Sequence, residues 1–231
     1  MYLPSHFEES RPEVLHELVR THPLGLLITV GPAGLQANPV PFMLDAGAAG
    51  EGDANSAPVL RAHVARANPV WREARTDVES LVVFQGPQTY ISPSLYPSKA
   101  ATGKVVPTWN YVMVQARGTL RVVDEAPWLH ALVTRLTDKH EAARAEPWAV
   151  SDAPDDYVQT MLRAIVGIEI TLSALTGKWK VSQNRNQADR DGVAAGLQEQ
   201  ADAGGAAQAA AMAAAVTAAA TEQVARGGVK G

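Results

Sequence analysis

Apolar and polar residues alternate along much of the chain, which predicts a protein built mainly from β-strands. The alternation is clearest over Trp109–Asp124, which we predict to be the longest strand. Its predicted buried face consists of Val112, Val114, Ala116, Leu120 and Val122. Shorter apolar runs between turn residues predict further strands at Leu24–Val30, Leu35–Met43, Val59–Ala65, Ser80–Gln85, Thr89–Ser92, Val166–Leu172 and Lys178–Val181. Turns are expected at Gly31–Gly34, at Gly86-Pro87, which closes Ser80–Gln85, and at Thr176-Gly177.

A second periodicity, of 3.6 residues, predicts helices between these strands. Ser10 and Glu13 resemble a capping box at the start of the first helix, which His22-Pro23 ends. Further helices are predicted around Val70–Arg75 and at Trp128–His140, Asp155–Arg163 and Asn186–Gln200, the last capped by Asn186. Strands and helices do not alternate regularly, which argues against a parallel doubly wound sheet. We therefore predict a mainly β (α+β) protein, an antiparallel barrel with peripheral helices.

Two stretches fall outside this pattern. Asp45–Ala57 lacks any period and is interpreted as a surface loop. Residues 201–220 contain 13 alanines, without a persistent apolar stripe that could pack on the rest of the chain. We therefore expect one domain over residues 1–200 and a frayed or disordered Ala/Gly-rich tail over 201–231.

Composition narrows the classes of function. The 231 residues carry a formal net charge of −4, and a surface that binds many DNA phosphates is usually more basic, so direct DNA binding is not supported. The absence of cysteine excludes disulfides, thiolate metal sites and a cysteine nucleophile. The first residues do not resemble a secretory signal, and no apolar run is long enough to span a bilayer. We expect a soluble, cytoplasmic protein without a membrane partner.

Four polar segments combine hydroxyls, amides, a cation and an aromatic ring: Arg61–Pro69, Tyr90–Lys99, Val106–Tyr111 and Lys178–Arg190. Such a mixture suits a ligand with an anionic end and a flat ring, since phosphate needs cations and hydroxyl donors, whereas a ring needs apolar faces and amides. The predicted anion-binding residues are Arg61, His63, Ser92, Ser98 and Lys99. The predicted ring-binding residues are Trp109, Asn110, Gln183 and Asn184, and Tyr96 is placed to cover a ring.

Structural roles remain open for several of these side chains. Lys99 can be a solvated loop lysine, and His63 a partly buried histidine in a strand. Trp109 can anchor a core. Arg185 and Arg190 can pair with Asp189 and Asp191 at a helix start.

Five collinear segments within residues 1–197 resemble the PaiB family, the FMN-binding negative transcriptional regulators. They are Met1–Phe7, His63–Pro69, Phe84–Tyr96, Val106–Tyr111 and Ser182–Val193. The resemblance implies a split β-barrel of the pyridoxamine-phosphate-oxidase-like type, and a homodimer that binds FMN at the subunit interface. It also implies that Tyr90–Lys99 approaches the phosphate and that the segment of Ser182, Gln183, Asn184 and Arg185 lies near the ribityl chain or ring. Thr108 joins the candidate set through the matching Val106–Tyr111 segment.

Three functions are compatible with this resemblance. The first is an FMN-binding regulator that affects transcription indirectly, since no helix-turn-helix pattern is present. The second is an FMN-dependent oxidoreductase or flavin reductase, in which Lys180 or Arg185 near the flavin ring would favour the reduced flavin. The third is haem binding or degradation, with His63 as the candidate ligand.

Overall fold

The computed structural model describes residues 1–46, 57–203 and 207–227. Within these residues the chain forms eight strands and seven α-helices. The strands are β1 (Glu8–Glu9), β2 (Leu24–Gly31), β3 (Gly34–Pro41), β4 (Met43–Asp45), β5 (Val59–Ala65), β6 (Ser80–Ile91), β7 (Thr108–Val123) and β8 (Ile165–Lys180). The helices are α1 (Pro12–Thr21), α2 (Val70–Glu73), α3 (Ser98–Thr102), α4 (Ala126–Glu141), α5 (Asp155–Arg163), α6 (Gln187–Asp202) and α7 (Ala207–Gly227).

The strands form one sheet in the order β3-β2-β6-β7-β8-β5-β4, and the short β1 pairs with β8. The ladders β1–β8, β2–β3, β2–β6, β4–β5 and β5–β8 are all antiparallel. Hairpins account for the β2–β3 and β4–β5 pairs, while β2–β6 and β5–β8 join strands distant in sequence. The prediction of an antiparallel sheet with peripheral helices is confirmed.

The chain divides into two compact units, each made of separate stretches of the sequence. The first unit comprises residues 1–11, 85–114 and 176–231, and the second comprises residues 12–84 and 115–175. The long strands β6, β7 and β8 each contribute residues to both units.

The core of the second unit lies under the apolar face of its sheet. Fully buried side chains here include Leu27, Phe42, Phe84, Leu60 and Ile168. Strands β7 and β8 approach closely at Gly118, where a Cβ atom would lie 2.1 Å from the carbonyl oxygen of Thr171. Only glycine therefore fits at this position.

Helix α4 covers part of the second unit and packs against β5 and α5. Its Leu132 and Leu136 form a buried cluster with Met43, and Trp128 packs against this cluster. Gly167 lies directly beneath Trp128, since a Cβ atom there would come within 2.3 Å of the indole ring. These contacts fix α4 beside the strand that carries Arg61 and His63.

The C-terminal helix α7 differs from the expected frayed tail. It packs against α6 and buries a stripe made of Ala209, Met212, Ala213, Val216 and Ala220. The spacing of this stripe follows the helical repeat, and small alanines allow the two helices to approach closely. Arg11 also forms an ion pair with Glu222 at 2.8 Å. Over the described residues the tail is thus part of the first unit.

Two predicted turns were wrong. The chain runs straight through Thr176-Gly177 as part of β8, because Gly177 and Lys178 pair with Glu9 and Glu8 of β1 and remain extended. Gly86-Pro87 lies inside β6, where the φ angle of proline is compatible with an extended backbone.

The predicted helices are confirmed, and so is most of the predicted buried face of β7. In β7 the predicted buried face holds from Val112 to Leu120, but beyond it Val123 rather than Val122 is buried. Most of the predicted loop Asp45–Ala57 lies outside the described residues. Among the described residues, no helix combines the length and apolarity that a membrane span requires.

Candidate functional site

Three cations of the first unit lie close together at the end of β8 and just beyond it. Lys178 is only 6% exposed, and its Nζ donates a 2.9 Å hydrogen bond to the carbonyl oxygen of Tyr2. Lys180 Nζ donates to Thr108 Oγ1 at 2.6 Å and to the carbonyl oxygen of Trp109. Burial lowers the pKa of Lys180, and the charges of Lys178 and Arg185 lower it further. The three groups therefore repel one another in the absence of an anion.

No ion pair joins this cluster to a carboxylate within the described part of the chain. The ion pairs there involve none of Lys178, Lys180 and Arg185. Instead, Lys178 lies 5.3 Å from the ring centre of Tyr111, and the guanidinium of Arg185 lies 4.7 Å from that of Tyr96. Positive charges held only by neutral oxygens and rings are suited to bind a phosphate.

Two aromatic rings lie at the surface of the same unit. Tyr90 and Trp109 are each 49% exposed, and their ring centres are 6.2 Å apart in an edge-to-face arrangement. Trp109 Nε1 donates to Gln88 Oε1 at 2.8 Å, which fixes the indole. The core role that the sequence left open for Trp109 is therefore excluded. Exposed, oriented rings of this kind are suited to contact a flat ligand.

Asn110 and Ser182 form the buried part of this region. Asn110 Nδ2 donates to Ser182 Oγ at 2.9 Å, and both residues are at most 3% exposed. Ser182 adopts φ +71°, an uncommon conformation for a residue other than glycine. Asn110 Oδ1 is buried and has no hydrogen-bond partner among the described residues. It is an acceptor that a ligand N–H group can satisfy.

The amide of Gln183 holds the chain turn that follows β8. Its Oε1 accepts from the backbone N–H of Val181 at 2.8 Å, and its Nε2 donates to the carbonyl oxygen of Trp179. Asn184, next in the chain, is exposed. Gln183 is thus positioned as a backbone brace, whereas Asn184 is accessible from solvent.

The loop between β6 and β7 is tied to the start of α6. Ser98 donates from its backbone N–H at 3.0 Å and from Oγ at 2.8 Å to the carboxylate of Asp189. Asp189 is 2% exposed, and its own N–H donates to the capping oxygen of Asn186 at 2.8 Å. Asp189 therefore accepts hydrogen bonds from Ser98 and does not form the ion pair with Arg185 or Arg190 that the sequence left open.

The other residues of this loop vary in exposure. Tyr96 is 2% exposed, so it fills the first unit's core instead of covering an open surface. Burial raises the pKa of Tyr96, while Arg185 opposes that shift. Ser92 caps the turn Pro93–Leu95, since its Oγ accepts from the N–H of Ser94 at 3.2 Å. Lys99 is exposed.

Arg61 and His63 lie in the second unit, on the same face of β5. Arg61 Nε donates to Glu169 Oε1 at 2.7 Å, and its guanidinium also pairs with Asp45. Burial alone would raise the pKa of Glu169, but hydrogen bonds from Arg61 and Arg121 outweigh it and lower that pKa. The charge of Arg61 is therefore already neutralised.

His63 has an apolar environment. Its imidazole forms no hydrogen bond with the described residues, and Nδ1 is buried. Burial lowers the pKa of His63, so the ring is neutral near pH 7. A role for Arg61 and His63 in binding phosphate stays a prediction, and their surroundings do not add support to it.

The residues of the first unit fit FMN. The cation cluster and the hydroxyl of Thr108 match a phosphate, Tyr90 and Trp109 match a ring, and Asn110 Oδ1 matches a ring N–H group. Eleven of the thirteen site residues predicted from the sequence lie in this unit, but Lys178 was not among them. Lys178 and Lys180 are two positions apart in a strand and therefore lie on the same face, and this spacing could have identified Lys178 as a candidate.

Comparisons with known proteins agree with this geometry. The sequence model of a family described as "Putative FMN-binding domain" matches residues 1–174. The Protease synthase and sporulation protein PAI 2 of Bacillus subtilis is 30% identical over 200 residues, covering 87% of this chain and 90% of that protein. An uncharacterised protein of Emericella nidulans is 38% identical over 228 residues, covering 86% of this chain and 90% of that protein.

Solved structures share the fold at low sequence identity. A conserved hypothetical protein of Mycobacterium tuberculosis superposes with a TM-score of 0.54 at 14% identity, covering 81% of this chain and 95% of that one. The FAD and heme binding protein of Mycobacterium smegmatis superposes with a TM-score of 0.51 at 18% sequence identity, covering 82% of this chain and 80% of that one. The flavocytochrome Anf3 of Azotobacter vinelandii superposes with a TM-score of 0.52 at 11% identity, covering 80% of this chain and 75% of that one.

These likenesses confirm the predicted split β-barrel fold and the resemblance to PaiB, and the cofactor they indicate is FMN. The chain belongs to the PaiB-like family of FMN-binding domains.

Proposed function

We propose that this protein is an FMN-dependent regulator of the PaiB type, which holds the phosphate of FMN on Lys178, Lys180 and Arg185. The observation that carries the proposal is the cation cluster, whose three members have no carboxylate partner among the described residues. Burial and, after it, the charges of Lys178 and Arg185 lower the pKa of Lys180, and a phosphate dianion would offset this repulsion. It would also accept hydrogen bonds from the ammonium and guanidinium groups.

The ring of the cofactor would lie against Tyr90 and Trp109. These rings are half-exposed and already oriented, so little side-chain entropy is lost when a ligand covers them. Asn110 Oδ1 supplies a buried acceptor for the polar edge of the ring. FMN, when bound, supplies one- and two-electron redox chemistry.

An effect on transcription would be indirect. The chain is acidic overall, with a net charge of −4, which does not favour direct binding to DNA. Regulation through the redox or binding state of the flavin requires no DNA contact. A nanomolar, sequence-specific mobility shift by the purified protein would contradict an indirect route.

Flavin reductase activity is the second candidate. Lys180 and Arg185 are cations that would stabilise the anionic reduced flavin if they lie near its ring. Anaerobic mixing of the FMN-loaded protein with NADPH or NADH separates the two functions. Loss of the oxidised-flavin absorbance supports a reductase, and an unchanged spectrum at millimolar nucleotide excludes it.

We also propose that the protein is a homodimer, with the flavin site at the subunit interface as the resemblance to the PaiB family implies. The outer face of β2 is apolar, and Leu24 and Leu26 are 62% and 40% exposed. Across the hairpin, Leu26 lies opposite Pro39 and Val30 opposite Leu35, which is 77% exposed. An apolar sheet face of this extent favours association with a second copy.

The dimer is tested by the oligomeric state. Sedimentation equilibrium should give a dimer for the native protein and a monomer for Leu26→Lys, which places a charge in the apolar face. A native monomer at micromolar concentration would contradict the proposal.

The phosphate site is tested by titration with FMN, followed by quenching of flavin fluorescence. One charge-assisted hydrogen bond contributes about 1.5–3 kcal/mol, so Lys180→Met should weaken FMN binding about 10- to 150-fold. Riboflavin, which lacks the phosphate, should lose much less affinity in the same variant. Lys104→Met is the matched control, because Lys104 is an exposed loop lysine whose loss should leave FMN affinity unchanged.

The same titration compares two further cations, both of which the sequence selected. Lys99→Met tests the exposed lysine that the sequence selected, and Arg185→Met tests the cation against Tyr96. Equal FMN affinity in the Lys180, Arg185 and Lys104 variants would refute the proposed phosphate site.

A further inference from the structure

The second unit contains a pocket of about 290 Å³ between α4 and α5. Its walls come from these two helices, from the segment 148–153 and from the ends of β5 and β8. We call it the α4–α5 pocket. It is separate in sequence from the candidate flavin residues of the first unit, and of the thirteen residues predicted from the sequence only His63, in the second unit, lines it.

We propose that the α4–α5 pocket binds a small neutral aromatic molecule that carries a hydroxyl group. The first observation is the lining, which includes Val133, Val150, Leu162 and Ile165. No aspartate, glutamate, lysine or arginine belongs to the lining among the described residues. Apolar walls without a charge favour a neutral ligand, because a charged one would lose its hydration without compensation.

The second observation is His63, which is one of the residues that line this pocket. Neither ring nitrogen forms a hydrogen bond with the described residues, and Nδ1 is buried. Burial lowers the pKa of His63, so the imidazole is neutral and offers one N–H donor and one acceptor nitrogen. A hydroxyl group can donate or accept, and so it can pair with the imidazole in either tautomer.

The third observation is a group of exposed side chains that line the same pocket. Trp148, Tyr157 and Met161 are 48%, 56% and 43% exposed, and they come from two different segments. Large apolar side chains left in water at one opening are the pattern of a binding mouth. Two of the three carry aromatic rings, and methionine sulfur also contacts aromatic rings favourably. An aromatic ligand therefore gains most from these side chains.

The size of the pocket limits the ligand. Ligand sites typically span about 300–1,000 Å³, and an apolar cavity of about 150 Å³ can hold a single benzene ring. The α4–α5 pocket thus has room for one ring with substituents or for two fused rings. Thr137 supplies one further hydroxyl in the lining.

The test uses the protein loaded with FMN and three probes built on the same methylbenzene ring: p-cresol, toluene and p-toluate. They differ only in the group on the ring: a hydroxyl, no polar group or a carboxylate. Binding is followed by calorimetry and by the NMR shift of the Trp148 indole N–H. We expect saturable binding of p-cresol, weaker binding of toluene and none of p-toluate.

Two variants locate the probe. His63→Leu preserves side-chain volume but removes the nitrogens, so it should weaken p-cresol about 2- to 10-fold and leave toluene unchanged. Ala153→Phe fills the pocket and should abolish binding of both probes. Lys104→Met, at an exposed loop lysine of the first unit, should leave p-cresol binding unchanged.

Three results would overturn the proposal: no saturable p-cresol binding, equal p-cresol affinity in His63→Leu, or undiminished binding in Ala153→Phe. The Trp148 shift in the native protein gives an answer even where a variant does not fold. FMN absorbance, read in the same samples, reports failure of the flavin site separately, because this proposal does not depend on it.

Discussion

Replacing Asp189 tests how the loop between β6 and β7 is attached to α6. The Asp189 carboxylate is 2% exposed and accepts two hydrogen bonds from Ser98, at 3.0 and 2.8 Å. A weaker contact reaches it from Asn186 Nδ2 at 3.2 Å. Asp189→Ala would leave both Ser98 donors without their acceptor, and it would also remove a negative charge from the N-terminal turn of α6.

The magnitude follows from these contacts. A hydrogen bond to a charged group contributes about 1.5–3 kcal/mol, so two contribute about 3–6 kcal/mol before relaxation. Ser98 is only half-buried, and water can partly replace the lost acceptor. We therefore expect Asp189→Ala to reduce the free energy of unfolding by about 3–4 kcal/mol. Asp189→Asn keeps one acceptor oxygen and should cost about 1–2 kcal/mol.

Urea unfolding followed by tryptophan fluorescence and circular dichroism measures these changes. Asp191→Ala is the matched control, since Asp191 lies two residues further along α6 but is exposed, and it should change stability by less than about 0.5 kcal/mol. A double-mutant cycle with Ser98→Ala should give a coupling energy of about 1–3 kcal/mol. A loss below about 1 kcal/mol for Asp189→Ala would refute the reasoning, because the two hydrogen bonds would then contribute no more than a surface contact.

Two further predictions concern packing and pH. Met212 of α7 is fully buried in the first unit, so Met212→Ala should reduce the free energy of unfolding, measured in urea, by about 2–3 kcal/mol. Ala214→Met, on the exposed face of the same helix, should change the free energy of unfolding little. Equal effects of the two substitutions would mean that α7 does not pack on α6. Burial lowers the pKa of His63 below its ordinary value of 6.5, so the folded protein binds a proton at this site less readily than the unfolded chain does. The stability that neutral His63 contributes is therefore complete above pH 6.5 and is lost as the pH falls below that value towards the folded-state pKa. In His63→Leu this component of the acid dependence should disappear, and identical slopes of unfolding free energy against pH between 7 and 5 in both proteins would contradict the assignment.

Much of the fold could be predicted from the sequence because the patterns concerned are local. The helix over Asp155–Arg163 and the Asn186 cap depend on neighbouring residues, and both have the bounds expected. The alternation in β7 gave the buried face from Val112 to Leu120. These features need no information from distant parts of the chain.

Two of the mistaken elements depend on a partner segment that their own composition does not reveal. Thr176-Gly177 has the composition of a turn, but pairing with Glu8 and Glu9 keeps it extended. The alanine-rich tail has a sparse apolar stripe that stabilises the fold only when it packs on α6, because alanine buries little surface unless another helix lies close. Local composition was therefore a poor guide at both places.

For the candidate site too, the sequence revealed some features and only the structure revealed others. The residue types for a phosphorylated ring could be recognised in four segments, since cations, hydroxyls and aromatic rings are visible in the sequence. Which cation is free to bind an anion was not visible, because that depends on the carboxylates around it. Arg61 lies opposite Glu169 in the ladder between β5 and β8, 108 positions away, and its charge is neutralised there.

By itself, the sequence determined the periodicity of the strands and helices, the family and the chemical character of the ligand, since these follow from residue types and their spacing. Tertiary structure alone decided that Lys178 is buried beside Tyr111, that Ser98 holds Asp189, and that His63 lines an apolar pocket. The physical reason is that the energy of a charge or a hydrogen-bonding group depends on its surroundings. In this protein those surroundings are assembled from segments 67 to 102 residues apart along the chain.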